Sequence, residues 1–241
     1  MKLAACGFRY DPRVERVPGR YLLLAVAVGG AIVSSLASGE TLEPRTVETV
    51  TIAFRALFTA LVAVIVPVYF VKYGPANFLW FSDVGLLGIA AALWLESPFL
   101  GSMMALCVLL PETLWLVSFL TGVLTKGHAA TTLASYMFDS KIPLYLRALS
   151  CVFHVTLVPG ALWLVYRYGY DSRALGAQWA LAWILLPATL WLAPREKNIN
   201  WVHGFGHPPR SPFRPAVHFA LMMLLYPTLV YLPAHWLLLR F

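Results

Sequence analysis

Long apolar stretches, each about as long as a bilayer is thick, alternate along the chain with short polar or Pro/Gly-rich connections. A helix that crosses the hydrocarbon core needs about 20 mostly apolar residues. Seven stretches meet this requirement, so the pattern predicts an all-α bundle of seven transmembrane helices. The predicted spans cover roughly residues 21–38, 51–71, 76–95, 99–121, 143–166, 174–193 and 216–238.

The composition agrees with this pattern, because 60% of the residues are hydrophobic and only 12% are charged. Soluble globular domains carry about twice as many charged residues. The seven spans leave no room for a separate folded domain, so residues 1–241 are predicted to form one integral membrane domain. Its remaining parts are a basic tail, 1–20, and two longer cytoplasmic loops, 125–143 and 194–215.

Positive charges set the predicted orientation, since Lys and Arg near helix ends stay on the cytoplasmic side. If the N-terminus is cytoplasmic and the C-terminus is outside, most Lys and Arg residues lie on the cytoplasmic side: Lys2, Arg9, Arg13, Arg16, Arg20, Lys72, Lys126, Lys141, Arg195, Lys197, Arg210 and Arg214. The opposite side holds Arg45, Arg167, Arg173 and Arg240. The net charge of +7 then reflects this bias and attraction to anionic lipids, without nucleic-acid binding. We predict a multi-pass protein of a bacterial inner membrane or an equivalent membrane.

Ionisable side chains inside the predicted spans are the main candidates for function, because charge in hydrocarbon is costly unless it faces protein or water. His154 lies near the middle of its span, in the apolar run LSCVFHVTLVPG. At about 1.5 Å per residue, Asp83 and Glu112 lie about 10 and 13 Å from the cytoplasmic ends of theirs. All three therefore lie in the cytoplasmic half of the bilayer, where we predict a shared polar site.

The chemistry of such a site would be centred on His154, because imidazole titrates near neutral pH and can act as a general base. Ser82 is the candidate nucleophile, with Asp83 or Glu112 orienting the imidazole as the third member of a triad does. Two alternatives stay open at this point. Water could be activated by Asp83 and His154 directly, or a Cys151 thiolate could attack.

Other residues are expected to contact a substrate or to support the site. Arg147, Cys151 and His154 are spaced i, i+4 and i+7, so they share one helix face. The 194–215 loop would cap the same side of the bundle. The predicted substrate-binding residues are Asn77, Trp80, Arg147, Cys151, Asn200, Trp201 and His203.

A metal site is a further possibility for the same polar residues. Zinc could be held by a set of His and carboxylate ligands, here Asp83, Glu112, His154 and His203. No local spacing supports that set, so neither a metal nor another cofactor is predicted.

The stretch IPLYLRALSCVFHVTLVPGALWLVYRYGYDSRALG, residues 142–176, resembles the androgen-induced and TFPI-regulating membrane hydrolases, which cleave fatty acid esters of hydroxy fatty acids. In that family a helix after Ile-Pro carries the catalytic His, with Pro five residues later and then a Tyr-x-Ser-Arg turn. His154 and Pro159 keep that spacing, and the residues matching the turn are Tyr170, Ser172 and Arg173. NWVHGF, residues 200–205, is similar to the family's Trp-Val loop. The likeness covers roughly residues 70–240.

Two departures from the family pattern bear on the chemistry. The distance from Ile-Pro to His154 is about one helical turn longer than in the family. The family's nucleophile is a threonine, whereas FLWFSDVGL has none and has Trp80 near that position. The resemblance therefore implies a catalytic role for His154 but assigns no nucleophile.

Two functions of different classes follow from these residues. The first is an intramembrane hydrolase or acyl-transfer enzyme that acts on a lipid or long-chain ester arriving from the membrane lipids. The second is a non-catalytic subunit of a membrane complex, with an unidentified protein partner, or a lipid-binding module in which the polar residues fix helix packing. A carrier is disfavoured, because the chain lacks the internal repeat of many transporters.

Overall fold

The computed structural model describes residues 42–128, 130–131 and 133–240. Within these ranges the fold is all-helical, as predicted, and the connections include four short 3-10 helices. The predicted span 21–38 and the tail 1–20 lie outside the described residues. The helices are α1 (Pro44–Tyr73), α2 (Phe81–Leu95), α3 (Pro98–Leu124), α4 (Leu144–Tyr168), α5 (Ala174–Leu192) and α6 (Pro215–Leu238).

Five of these helices, all except α2, are long and apolar enough to cross a membrane. Helix α2 has 15 residues, or about 22 Å of helix, which is less than the roughly 30 Å of a hydrocarbon core. The predicted span 76–95 is therefore wrong as one continuous α-helix. Gly74, at φ +76°, ends α1, and the 3-10 helix Pro75–Leu79 precedes α2. The architecture of the described residues is consistent with a multi-pass integral membrane protein.

Successive helices run antiparallel, so the connections alternate between the two ends of the bundle. The long-loop end carries residues 74–80, 125–143 and 193–214, and the short-turn end carries residues 96–97 and 169–173. At both ends of the bundle, contacts between residues distant in sequence hold the helices together. At the short-turn end the Tyr170 hydroxyl lies 2.6 Å from His235 Nδ1, and at the long-loop end Lys197 donates to the Tyr73 carbonyl.

Helices α3 and α4 form the centre of the bundle. In the most apolar window of each, 56% of α3 and 61% of α4 is buried, against 28% or less for α1, α5 and α6. Gly160 lets α1 approach α4 closely, since a Cβ there would lie 2.5 Å from the ring of Phe58. Polar side chains on the facing surfaces of α3 and α4 are therefore shielded by surrounding helices.

Two glycines of α2 lie against α3 and should respond differently to alanine. A methyl group at Gly85 would lie 2.4 Å from Cγ1 of Val108, a β-branched residue with a restricted rotamer in a helix. At Gly88 it would meet the sulfur of Met104 at 2.1 Å, but that flexible side chain can move aside. We expect Gly85→Ala to lower the free energy of unfolding by about 1–3 kcal/mol and Gly88→Ala by clearly less. Unfolding in mixed detergent micelles measures both, and equal losses would contradict this packing.

Candidate functional site

A histidine and a carboxylate meet between α3 and α4. His154 Nδ1 lies 2.6 Å from Glu112 Oε2, a distance expected for a charge-assisted hydrogen bond. Only 14% of the His154 side chain and 6% of the Glu112 side chain are exposed. His154 lies about 15 Å along α4 from the long-loop end, and Glu112 lies about 18 Å along α3 from the same end. The pair is thus near the middle of both helices.

The hydrogen bond restricts what the imidazole can do. A carboxylate only accepts, so Nδ1 of a neutral His154 carries the proton and donates it to Glu112. Nε2 then keeps a lone pair, and no hydrogen bond to this atom is found in the described part of the chain. An imidazole held in this way can accept a proton at Nε2 while the carboxylate stabilises the resulting charge.

Aromatic rings enclose the imidazole. Trp115, one turn after Glu112 on α3, stacks on His154 with ring centroids 4.4 Å apart and an interplanar angle of 17°. The ring of Phe153 lies 4.5 Å away and is tilted by 42°. An indole face favours a neighbouring cation, so this stack suits an imidazole that becomes protonated during a reaction.

A short hydrogen-bonded chain supports the indole. Trp115 Nε1 donates to the Tyr136 hydroxyl over 3.2 Å, and the Tyr136 hydroxyl lies 2.7 Å from Ser150 Oγ. Ser150 lies one turn before His154 on α4, and Tyr136 belongs to the 3-10 helix Ser135–Phe138 of the 125–143 loop. Trp115, Tyr136 and Ser150 are all missing from the residues that the sequence predicts. The sequence indicates two of them through helix spacing: Trp115 follows Glu112 at i+3, and Ser150 precedes His154 at i−4, so each lies on the helix face of its partner.

Asp83 lies in the first turn of α2 and is 2% exposed. The chain before Phe81 is not α-helical, so Asp83 lies near the start of a helix and not within a continuous one. Oδ2 accepts a 3.3 Å hydrogen bond from Asn77 Nδ2, and Oδ1 has no partner among the described residues. The amino end of a helix favours a carboxylate at this position. Asp83 is close enough to Glu112 for an electrostatic interaction, but no hydrogen bond joins it to His154 in the described residues.

The predicted nucleophile Ser82 and its neighbour Trp80 lie at the same end of α2. Both are half-buried, and Trp80 is the residue that immediately precedes the helix. In the part of the chain that the structure describes, no hydrogen bond or ring contact joins either of them to His154. A hydrogen bond therefore joins Glu112 to His154, and none to Ser82 is found among the described residues.

Arg147 and Cys151 face the 125–143 loop. The Arg147 side chain is 2% exposed and donates to the Met137 carbonyl over 3.4 Å. Cys151 lies in an apolar cluster with Trp115, where a thiol is usually inert. The 125–143 loop therefore covers Arg147 and Cys151, whereas His154 lies against Trp115 and Phe153.

The 194–214 loop is held against the bundle by polar side chains. Asn200 Nδ2 donates to the Leu79 carbonyl over 2.6 Å and to Thr189 Oγ1 over 3.2 Å, while Oδ1 accepts from the Phe81 amide over 3.2 Å. The carbonyl of Trp201 accepts from His218 Nε2 over 2.9 Å. These bonds give Asn200 a structural role at the start of α2, beside the substrate-binding role predicted for it.

His203 lies in the same loop, where its amide donates to Asn198 Oδ1 over 3.1 Å. Partial burial, followed by the nearby positive charge of Arg195, lowers the pKa of His203. A lowered pKa keeps this imidazole neutral at pH 7. Among the described residues no group of three or more His, Cys, Asp and Glu side chains is placed to hold a metal ion.

Removing the Asn200 side chain should loosen the loop. Asn200→Ala leaves the Leu79 carbonyl and the Phe81 amide without their side-chain partner, and we expect a loss of about 2–3 kcal/mol in the free energy of unfolding. Asn77→Ala removes one long hydrogen bond and should cost about 1 kcal/mol or less. Unfolding of both variants in the same detergent mixture measures the difference. Equal costs would mean that Asn200 does not anchor the loop.

The described residues form a helical bundle of the multi-pass membrane type, with a buried His-carboxylate pair at its centre. Comparison of the chain with protein-family models, with curated proteins and with solved structures finds no match. The resemblance to the fatty acid ester hydrolases therefore stays a prediction, and the functional proposal depends on the geometry around His154.

Proposed function

We propose that this protein is an intramembrane hydrolase or acyl-transfer enzyme that acts on lipid or long-chain esters. The observation that carries the proposal is the 2.6 Å contact between His154 Nδ1 and Glu112 Oε2, with Nε2 left for proton transfer. His154 acts as the general base, and Glu112 holds its tautomer and stabilises the imidazolium.

The proposed reaction begins with water as the nucleophile, because no side-chain hydroxyl hydrogen-bonds to His154 Nε2 among the described residues. Nε2 takes a proton from water while the oxygen attacks the ester carbonyl carbon. The tetrahedral intermediate then collapses, the bond from the acyl carbon to the alkoxide oxygen breaks, and the imidazolium returns its proton to the leaving alcohol. Ser82, the hydroxyl predicted from the sequence, stays the alternative attacking group and would give an acyl-enzyme suited to acyl transfer.

The substrate class follows from where the pair lies. His154 and Glu112 are near the middle of apolar helices, with Trp115 and Phe153 against the imidazole. An ester in a long acyl chain can reach that depth, whereas a charged soluble metabolite would have to be desolvated. Asp83, oriented by Asn77, supplies a second carboxylate near Glu112 and would help to bind the attacking water.

The proposal also assigns an orientation and a membrane. The long-loop end faces the cytoplasm, since most basic residues of the described chain gather there: Lys72, Lys126, Lys141, Arg195, Lys197, Arg210 and Arg214. A bacterial inner membrane, or an equivalent membrane, is the proposed location. Membrane lipids would then be both the solvent of the bundle and the source of its substrate.

A lipidomic comparison tests the activity and identifies the substrate class in the same experiment. Membranes of cells that express the wild type should be depleted in one class of acyl ester relative to cells that express His154→Ala at equal levels. His128→Ala, which alters an exposed loop histidine, is the matched control and should behave as the wild type. If no ester class differs between the wild type and His154→Ala, the hydrolase proposal fails and a non-catalytic role is favoured.

A further inference from the structure

We infer that Tyr136, brought by the 125–143 loop, is a positioning residue that holds His154 in place through Trp115. The effect of Tyr136 on turnover rests on the proposed function, whereas its effect on the position of the His154 imidazole does not. No sequence pattern indicates this role, because Tyr136 lies 18 positions before His154 and outside the helices that carry the pair.

The direction of the hydrogen bonds makes the phenol oxygen the connecting atom. An indole N–H can only donate, so the Tyr136 oxygen accepts from Trp115 Nε1 and its own proton is free for Ser150 Oγ. The phenol thereby connects α3, which carries Trp115, with α4, which carries Ser150 and His154. This bond holds, at its Nε1 atom, the indole ring that stacks on His154.

Contacts on both sides of Tyr136 hold the loop in place. Before it, the amide and hydroxyl of Thr131 donate to Ser118 Oγ over 3.0 and 2.7 Å. After it, Phe138 stacks on Phe119 at 5.8 Å and lies so close to α3 that a Cβ at Gly122 would be 2.4 Å from its ring. The phenol is therefore presented to Trp115 by a segment that is itself packed against α3.

Removing only the phenol oxygen leaves a buried indole N–H without its acceptor. Trp115 is 5% exposed, so water cannot replace that acceptor without a movement of the ring. Because the indole and imidazole planes are nearly parallel, a rotation of Trp115 uncovers one face of His154. Tyr136→Phe should thus make His154 more accessible while the apolar packing of the loop is kept.

Site-resolved reaction with diethyl pyrocarbonate, which acylates neutral imidazole, measures this accessibility in the purified full-length chain. We expect Tyr136→Phe to raise the rate of His154 modification by about threefold to tenfold, the range that corresponds to one lost hydrogen bond. The exposed His207 serves as the internal reference, and its rate should not change. Tyr145→Phe, at an exposed tyrosine of α4, is the matched control and should leave the rate at His154 unchanged.

A double-mutant cycle distinguishes positioning from a general loosening of the fold. Trp115→Phe should raise the rate as Tyr136→Phe does, and the two changes together should add little more, because both break the same hydrogen bond. Additive effects, or an unchanged rate in a folded Tyr136→Phe protein, would overturn the inference.

Turnover provides the second measurement. If the wild type cleaves a lipid ester, Tyr136→Phe should lower kcat with little change in KM, since a positioning effect acts on the imidazole and not on substrate binding. An unchanged kcat would overturn the catalytic part of the inference. If the wild type cleaves no ester while the modification rate still rises, the proposed function fails and the positioning of His154 stands.

Discussion

His154→Gln should lower kcat for ester cleavage by about 100-fold to 10,000-fold, the contribution typical of a general base. Glutamine is close to histidine in size and keeps a polar group near Glu112, but it cannot take a proton from the attacking water. The reason for choosing glutamine is that Glu112 would otherwise be left buried with no partner, which alone would destabilise the bundle.

The measurement is fatty acid release from a defined ester by protein reconstituted in vesicles, in water enriched in ¹⁸O. One ¹⁸O atom in the released acid shows that water supplied the new oxygen, by direct attack or by hydrolysis of an acyl-enzyme. His207→Gln, at an exposed loop histidine, should retain wild-type turnover. Turnover of His154→Gln within a few-fold of the wild type would exclude the imidazole as the base.

Glu112→Gln should lower kcat by about 1,000-fold or more, on the scale of a neutralised triad carboxylate. The glutamine amide can donate to Nδ1, which would move the imidazole proton to Nε2 and remove the lone pair needed for catalysis. The side chain keeps its shape, so a loss of turnover would come from the changed tautomer and the lost charge.

The same vesicle assay measures this variant beside Glu48→Gln, which neutralises an exposed carboxylate of α1 and should be without effect. Glu112→Asp retains the charge but shortens the side chain, so it should recover part of the activity. A Glu112→Gln protein with full turnover would show that the carboxylate does not orient the base.

Hydropathy predicts much of this fold, because the length of an apolar run is set by the bilayer. The long helices of the described residues match predicted spans to within a few residues, apart from an earlier start of α1 at Pro44. The stretch 76–95 is not one continuous α-helix, because hydropathy does not register a local change of backbone conformation. Residues Pro75–Leu79 form a 3-10 helix and Trp80 is extended, so the α-helix begins only at Phe81 and Asp83 lies in its first turn.

The site could be predicted only in part, since membrane depth follows from sequence but pairing does not. The rise per residue places both His154 and Glu112 near the middle of their helices, whereas their 2.6 Å contact depends on how α3 and α4 are rotated. The burial of Arg147 does not follow from the sequence, because it depends on how the 125–143 loop packs against α3 and α4. The hydrogen bond between Tyr136 and Trp115 cannot be predicted from the sequence for the same reason.

Nitrogen-15 NMR of histidine in the bilayer-embedded protein tests the His154–Glu112 pair most directly, because it reports which ring nitrogen carries the proton. Spectra are recorded at alkaline pH, where imidazole is neutral. We expect the His154 signals, assigned by their loss in His154→Gln, to show a protonated Nδ1 and a bare Nε2, and Glu112→Gln to reverse them. A wild-type His154 with its proton on Nε2, or signals that do not respond to Glu112→Gln, would contradict a base oriented by Glu112.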